Sequence, residues 1–363
     1  MGQSTHLNSK QGTDDYSFRW KTFDDAGLQL FFHNLDIFTE IMSAGGAALA
    51  DSYPFLRYLP ASLYPIKRKA SEHHEVEKKM YKGFYLKAKN AIVEKSPAAR
   101  ACACGDIVEM QQTEGFSDDF AMYVASTIFE AGSETTASEL YGFAQAMLLY
   151  PDIQRKAQAE IDALMGEERW PTMDDESHLP YVRACVKETL RWMPTLILGA
   201  APHALMENDQ YMGYHLPAGA MVMLNVWTIH RDAERYARPE TFSPDRYLGD
   251  ETSSAESCAL SDVSKRDHFS FGAGRRVCPG THVSDRSMFL VMARVLWAFD
   301  IKPKQGGRVS KQDEFVQAMS VAPKPFDVEI TPRSAKRGEA VRREWSEAQL
   351  GLDEQGQFLK NPI

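Results

Sequence analysis

From Ser117 to Tyr150 the chain contains no proline and keeps a helical pattern, which Pro151 then closes. At about 1.5 Å per residue such a helix runs roughly 50 Å. Ser117 is placed to cap it, and Asp118 and Asp119 follow in the first turn, where the helix dipole favours negative charge. Further helices are expected on both sides, over Phe23–Ala50, Lys67–Glu94, Asp152–Met165, Leu179–Met193 and Thr281–Phe299. Tyr211–Trp227 alternates and carries Gly213, Pro217 and Gly219, the signature of short strands and turns. Ser96–Gly115 and Asp250–Asp267 read as loops, and the charged stretch from Arg333 to Ile363 as a loosely ordered tail. The pattern is mainly α with a minor β part. It is not a βαβ alternation, and no repeat of 20 to 50 residues appears.

With 363 residues, 44% hydrophobic, the chain can build a sizeable core, and whole-chain disorder is excluded. Its net charge is −9 and no long basic run interrupts it, so nucleic acid is not an expected partner. Five cysteines, an odd number, argue against a disulfide framework and for a reducing compartment. No window approaches 18 consecutive apolar residues, and Met1–Thr5 lacks a basic lead into an apolar run. Neither a signal peptide nor a membrane anchor is expected in this chain.

The chemistry concentrates in three places. In Phe271-Gly272-Ala273-Gly274-Arg275-Arg276-Val277-Cys278-Pro279-Gly280, three glycines let the backbone approach a flat object closely. Cys278 stands just before a helix, where the dipole and nearby arginines would stabilise a thiolate. A lone cysteine cannot hold zinc or an iron–sulfur cluster, but it can be the single protein ligand of a haem. Taken alone, the loop reads first as a Gly-rich turn with a buried free cysteine.

Ala131-Gly132-Ser133-Glu134-Thr135-Thr136 places weak helix formers in the middle of the long helix. Their hydroxyls compete for carbonyls one turn back. Two readings stand: small residues packing against another helix, or a local groove in which an acid and a hydroxyl relay protons. In Glu188-Thr189-Leu190-Arg191 the charges lie on one helix face, and the apolar flanks Val182, Cys185, Val186, Leu190 and Trp192 suggest burial. Burial demands further partners, and Arg246 is the candidate third member.

Other signals carry less. Gly272-Ala273-Gly274 fails as a dinucleotide fingerprint because Val277 holds the third glycine position. His230-Arg231-Asp232 mimics a kinase catalytic loop, but Ala237 stands where asparagine is required. Cys102 and Cys104 read as an inert pair in a loop, Cys185 as core, and His73-His74 as solvated.

In order and spacing, the three motifs together resemble the cytochrome P-450 family of haem-thiolate monooxygenases, in its fungal microsomal-type branch. The resemblance runs from about Phe31 to Phe326 and implies the fold of that family. It divides the chain into an unmatched segment 1–22, a haem domain 23–332 and a tail 333–363. It implies heme as cofactor, with Cys278 as axial ligand and Phe271, Gly272 and Gly280 shaping the loop around it. Arg275 and His203 match positions that meet haem propionates. Glu134 and Thr135 match the oxygen-activating pair, and Glu188, Arg191 and Arg246 the structural triad. Leu196, Ile197, Phe129 and Ala131 match substrate-facing positions and imply an apolar organic substrate of secondary metabolism.

The implied reaction inserts one oxygen atom of O2, with electrons from an NADPH-dependent diflavin reductase. Lys265, Arg266, Arg275, Arg276, Arg286 and Arg294 form a basic group beside the cysteine loop that would attract an acidic donor. The family sits at the cytosolic face of the endoplasmic reticulum behind an anchor and early helices, for which this chain offers no match. A cytoplasmic chain with exposed apolar surface where those helices pack is therefore expected. The alternatives are a catalytically silent fragment without a stable haem pocket, and a haem-thiolate isomerase or peroxygenase that needs no reductase.

Overall fold

The computed structural model describes residues 25–43, 49–50, 52–95, 102–308, 310–316 and 320–352. Segment 1–22, the Gly45-Gly46 pair and residues 353–363 of the tail lie outside the described residues. Contacts divide the chain into two compact units, Met1–Ala137 with Arg343–Ile363, and Ser138–Arg342.

The first unit holds α1 (Ala26–Ser43), α2 (Pro65–Val93), α3 (Ala103–Glu114) and the first half of α4 (Asp118–Leu149). Pro65 opens α2 in the first turn, where its missing N–H would have had no helical partner anyway. Phe31, Tyr81, Tyr85, Met122 and Phe129 fill the core of this unit. Phe31 and Phe129 meet edge to face at 4.5 Å, a geometry that adds about 1 kcal/mol beyond burial.

Helix α3 corrects the loop expected over Ser96–Gly115. It ends at Gly115, whose φ of +73° is a left-handed stop that glycine takes without cost, and its buried face is Cys104, Ile107 and Val108. Cys104 is therefore core rather than a loop cysteine. His73 is likewise buried in α2, not solvated, and burial lowers its pKa. Ser117 caps α4 as expected, its Oγ accepting from the amide of Phe120 at 3.2 Å.

The second unit contains the rest of α4, then α5 (Pro151–Met165), α6 (Pro180–Trp192), α7 (Val226–His230), α8 (Ser254–Ala259), α9 (Thr281–Ala298) and α10 (Ala335–Leu350), the last running on beyond Arg342. Pro151 and Pro180 open α5 and α6 as Pro65 opens α2. The core joins α4, α5, α6 and α9 around Met147, Ile161, Trp192, Phe289 and Trp297. Each buried indole finds a carbonyl: Trp192 donates to Glu240 at 2.9 Å and Trp297 to Gly166 at 2.8 Å.

The β part is four antiparallel ribbons, consistent with the short strands expected. Strands β1 (His203–Ala204) and β4 (Met221–Val222) pair, as do β2 (Asp209–Tyr211) and β3 (Tyr214–Leu216). Strand β5 (Phe299–Pro303) runs against β8 (Val328–Pro332) with Ile301 opposite Ile330, and β6 (Phe315–Val316) against β7 (Ala322–Pro323).

Two further expectations are corrected. Within the supposed loop Asp250–Asp267, α8 begins with a capping box: Ser253 Oγ accepts from Glu256 N and the Glu256 carboxylate accepts from Ser253 N. The supposed loose tail contains α10. Arg337 is buried there and donates to Asp162 at 2.7 Å and to the Trp297 carbonyl at 2.9 Å, while Arg333 reaches Asp162 at 2.5 Å. These long-range ion pairs order a segment whose own sequence is too polar to supply a core.

Candidate functional site

The site is assembled from α6 outward. Glu188 and Arg191, one turn apart on α6, are both fully buried. Arg191 donates from Nε to Glu188 Oε2 and from Nη2 to Oε1, both at 2.8 Å. This fork geometry is the strong form of a charge-assisted pair. Burial opposes the guanidinium charge, but the Glu188 carboxylate more than compensates and the Arg191 pKa is raised.

The remaining hydrogen-bonding capacity is also used. Arg246 Nε meets Glu188 Oε2 at 3.0 Å, so the structure brings together all three residues singled out in the sequence. The Ser243 amide donates to Glu188 Oε1 at 2.7 Å, and Arg191 Nη1 donates to the carbonyls of His230 and Pro239. A buried pair so completely satisfied fixes the segment from His230 to Arg246 against α6.

The end of α6 also holds the start of the cysteine loop. Ser270 Oγ donates to the Leu190 carbonyl at 2.5 Å, and the Phe269 amide donates to His230 Nε2 at 2.7 Å. Phe271 then turns into the core of the second unit. The Cys278 amide donates to the Phe271 carbonyl at 2.9 Å and closes the loop. The Cys278 carbonyl accepts from Thr281 Oγ1 at 2.7 Å, which ties it to the first turn of α9.

The loop glycines serve the backbone as much as any ligand. Gly272 and Gly274 have φ of +78° and +65°, a region that side-chain-bearing residues rarely adopt. A Cβ on Gly280 would stand 3.7 Å from Cys278 Sγ, so glycine there keeps the sulfur's flank clear. Cys278 is exposed, as are Arg275 and Arg276, and neither arginine has an ion pair among the described residues.

One exposed thiol and two exposed arginines of the same loop, without ion pairs among the described residues, make a consistent donor set. It suits iron that brings its own equatorial ligands, and the residues present therefore fit haem. His203, in β1, is exposed.

On α4, Ser133 Oγ donates to the Phe129 carbonyl at 2.6 Å and Thr135 Oγ1 to the Ala131 carbonyl at 2.8 Å, the back-bonding that hydroxyls in helices make. The helix stays α throughout. Ala131 is exposed, and Glu134 and Thr135 are half-buried. Phe129 is fully buried and packs edge to face on Phe31.

The turn after α6 places Leu196 and Ile197 half-buried. It is held by bonds invisible in the sequence. The Thr195 amide donates to Glu139 Oε1 at 2.8 Å, the Thr195 carbonyl accepts from Val321 at 2.7 Å, and the Ile197 carbonyl accepts from Trp227 at 3.1 Å. Glu139 is wholly buried, and desolvation pushes its carboxyl pKa up to about 8.

The basic group is smaller than the sequence suggests. Arg266 is buried with Nε and Nη2 donating to the Leu260 carbonyl, and Arg294 lies 3.7 Å over the Trp170 ring while donating to Pro171. Arg275, Arg276, Arg286 and Lys265 remain exposed. Among the described residues, no helix is long and apolar enough to cross a membrane.

Sequence reasoning missed Glu139 and treated His230 only as part of a false kinase motif. No local pattern marks either residue, because their partners lie 39 to 56 residues away.

Comparison with known proteins places this geometry. The family profile described as Cytochrome P-450 matches residues 17–330. A cytochrome P-450 monooxygenase of Humicola fuscoatra is 46% identical over 349 residues, covering 96% of this chain and 65% of that protein. Another, from Hypocrea virens, is 42% identical over 352 residues, covering 96% and 63%. The chain thus spans just under two thirds of the length of these relatives. A zebrafish cytochrome P-450 solved with abiraterone superposes with a TM-score of 0.69 at 22% identity, covering 90% of this chain and 70% of that one, a likeness of fold. A second zebrafish structure, with progesterone, gives 0.67 at 24%, covering 85% and 66%. The chain belongs to the cytochrome P-450 family.

Proposed function

We propose that this chain carries the haem-thiolate centre of a monooxygenase that inserts one oxygen atom of O2 into an apolar organic substrate of secondary metabolism. The exposed Cys278 thiol, in a loop registered to the buried Glu188–Arg191 pair, is the observation that carries this reading. When bound, haem would supply the oxygen activation; the polypeptide would supply a sulfur ligand, charge balance, proton handling and substrate pose.

Cys278, exposed just ahead of α9, would be the residue that ligates the haem iron. Arg275 and His203 would hold the carboxylates of the porphyrin. Arg275 has no protein partner to give up in doing so, since it makes no ion pair among the described residues. Thr135 already donates its hydroxyl proton to Ala131, so its oxygen lone pairs are turned toward accepting a bond. With Glu134 as the neighbouring acid, this pair would hold and pass protons. Leu196 and Ile197 would supply apolar contact for the substrate, and Ala131 is a further apolar candidate on α4.

Electrons come from an NADPH-dependent diflavin reductase, attracted by Arg276, Arg286 and Lys265. These exposed cations would raise the rate of encounter with an acidic donor in a salt-sensitive way.

The test is the absorption spectrum of the haem-supplied chain, reduced and exposed to carbon monoxide. The wild type is expected to give the long-wavelength Soret band of a thiolate-ligated carbonyl, and Cys278→Ser to lose it. A band typical of a neutral ligand in the wild type would overturn the assignment. Thr135→Ala is expected to keep that band but release several-fold more peroxide per NADPH consumed in the presence of the reductase. Unchanged coupling would remove Thr135 from the proton path.

A further inference from the structure

His230 is fully buried at the end of α7, and its two ring nitrogens face groups of opposite character. Nδ1 lies 2.9 Å from the Arg191 carbonyl, which can only accept. Nε2 lies 2.7 Å from the Phe269 amide, which can only donate. One protonation state satisfies both: neutral imidazole with its hydrogen on Nδ1. The imidazolium would aim a second N–H at the Phe269 N–H, and the other tautomer would mismatch both contacts.

The surroundings oppose protonation as well. Burial lowers the His230 pKa well below its usual value, and His268, Arg191 and Arg231 lower it further. The His268 ring is 6.4 Å away and that of Tyr236 6.1 Å, each edge to face. Only the bond to the Arg191 carbonyl pulls the other way.

The bridge joins two parts of the site. Arg191 is the last charged residue of α6, and Phe269 begins the segment that closes at Cys278. Ser270 adds a second tie, to Leu190, one residue back along α6. The loop's entry is thus set against the end of α6 by two adjacent bonds, one relayed through an imidazole.

We infer that His230 is a positioning residue for the Cys278 loop, locked as the Nδ1–H tautomer so that it relays the register of the α6 end to Phe269. The consequence for haem ligation rests on the proposed role of Cys278, whereas the bridge itself does not.

Histidine-selective nitrogen-15 NMR of the full chain is expected to show the Nδ1–H tautomer for one imidazole, unchanged between pH 5.5 and 8 and absent in His230→Phe. Hydrogen exchange is then read by mass spectrometry. In His230→Phe, the segment around Phe269 is expected to exchange at least tenfold faster while α5 stays as in the wild type. His230→Gln, which keeps a donor and an acceptor, is expected to restore part of the protection. An Nε2–H tautomer, titration near the ordinary histidine value, or unchanged exchange around Phe269 would each overturn the inference. If His230→Phe does not fold, the wild-type tautomer and the Gln variant decide. With haem supplied, His230→Phe is expected to shift part of the thiolate carbonyl band to the neutral-ligand form. A missing band in the wild type would refute the reading of Cys278 instead, and leave the exchange and tautomer results to judge His230.

Discussion

Arg191→Met is expected to destabilise the second unit by about 3–5 kcal/mol, the cost of leaving a buried carboxylate without its partner. Glu188 keeps only Arg246 and the Ser243 amide, while the carbonyls of His230, Pro239 and Thr241 lose the donors that Arg191 provides. Methionine restores most of the apolar volume but none of these bonds. The cost is electrostatic rather than steric, so the double variant Glu188→Gln, Arg191→Met should lose less than the two single changes added together. The urea midpoint of all four proteins gives this cycle. Strict additivity would mean that the two side chains stabilise the fold independently, contrary to their fork geometry. The same variant should also loosen the cysteine loop, since the α6 end is where Ser270 and His230 attach.

The second large effect runs in the opposite direction. Glu139→Gln is expected to stabilise the protein by roughly 3 kcal/mol at pH 7 and by almost nothing near pH 4.5, taking about 1.36 kcal/mol per unit of pKa shift. The sign follows from burial. Desolvation raises the folded-state pKa from 4.5 to about 8, so between those values the folded protein retains a proton that the unfolded chain releases. Stability therefore falls as pH rises from about 4.5 to about 8, and levels off above.

Glutamine keeps an oxygen for the Thr195 amide and removes the titration. Urea midpoints across pH 5 to 8.5 should show wild type and variant converging in acid and separating in base. Parallel profiles would mean that Glu139 is hydrated or ionised in the folded protein. Because Glu139 fixes Thr195, next to Leu196 and Ile197, the variant also asks whether that turn keeps its position without a titratable anchor.

Much of the site is legible in the sequence because its determinants are local. Helix starts at Pro65, Pro151 and Pro180 announce themselves through a residue that fits only the first turn. Glu188 and Arg191 are paired by helical spacing alone, and apolar neighbours on every side already imply burial. The Cys278 loop is readable because glycine is the residue that tolerates the left-handed backbone at positions 272 and 274. Even α8 was in principle readable, since Ser253 and Glu256 have capping-box spacing.

Other features have no local signal. Helix α10 looks like a polar tail until Asp162, more than 170 residues earlier, pairs with Arg333 and Arg337. The basic group divides in the same way. Arg266 and Arg294 look like their exposed neighbours, and only folding turns them onto the Leu260 carbonyl and the Trp170 ring.

By itself, the sequence determined the long helices α2, α4, α5, α6 and α9, the buried pair and the thiol of the glycine loop, because each depends on residues within a turn or a loop of one another. The tertiary structure decided which tautomer His230 holds and which form of Glu139 is stable. A protonation state is set by the atoms that face it, and here those are backbone groups of Arg191, Phe269 and Thr195, brought close only when the chain has folded.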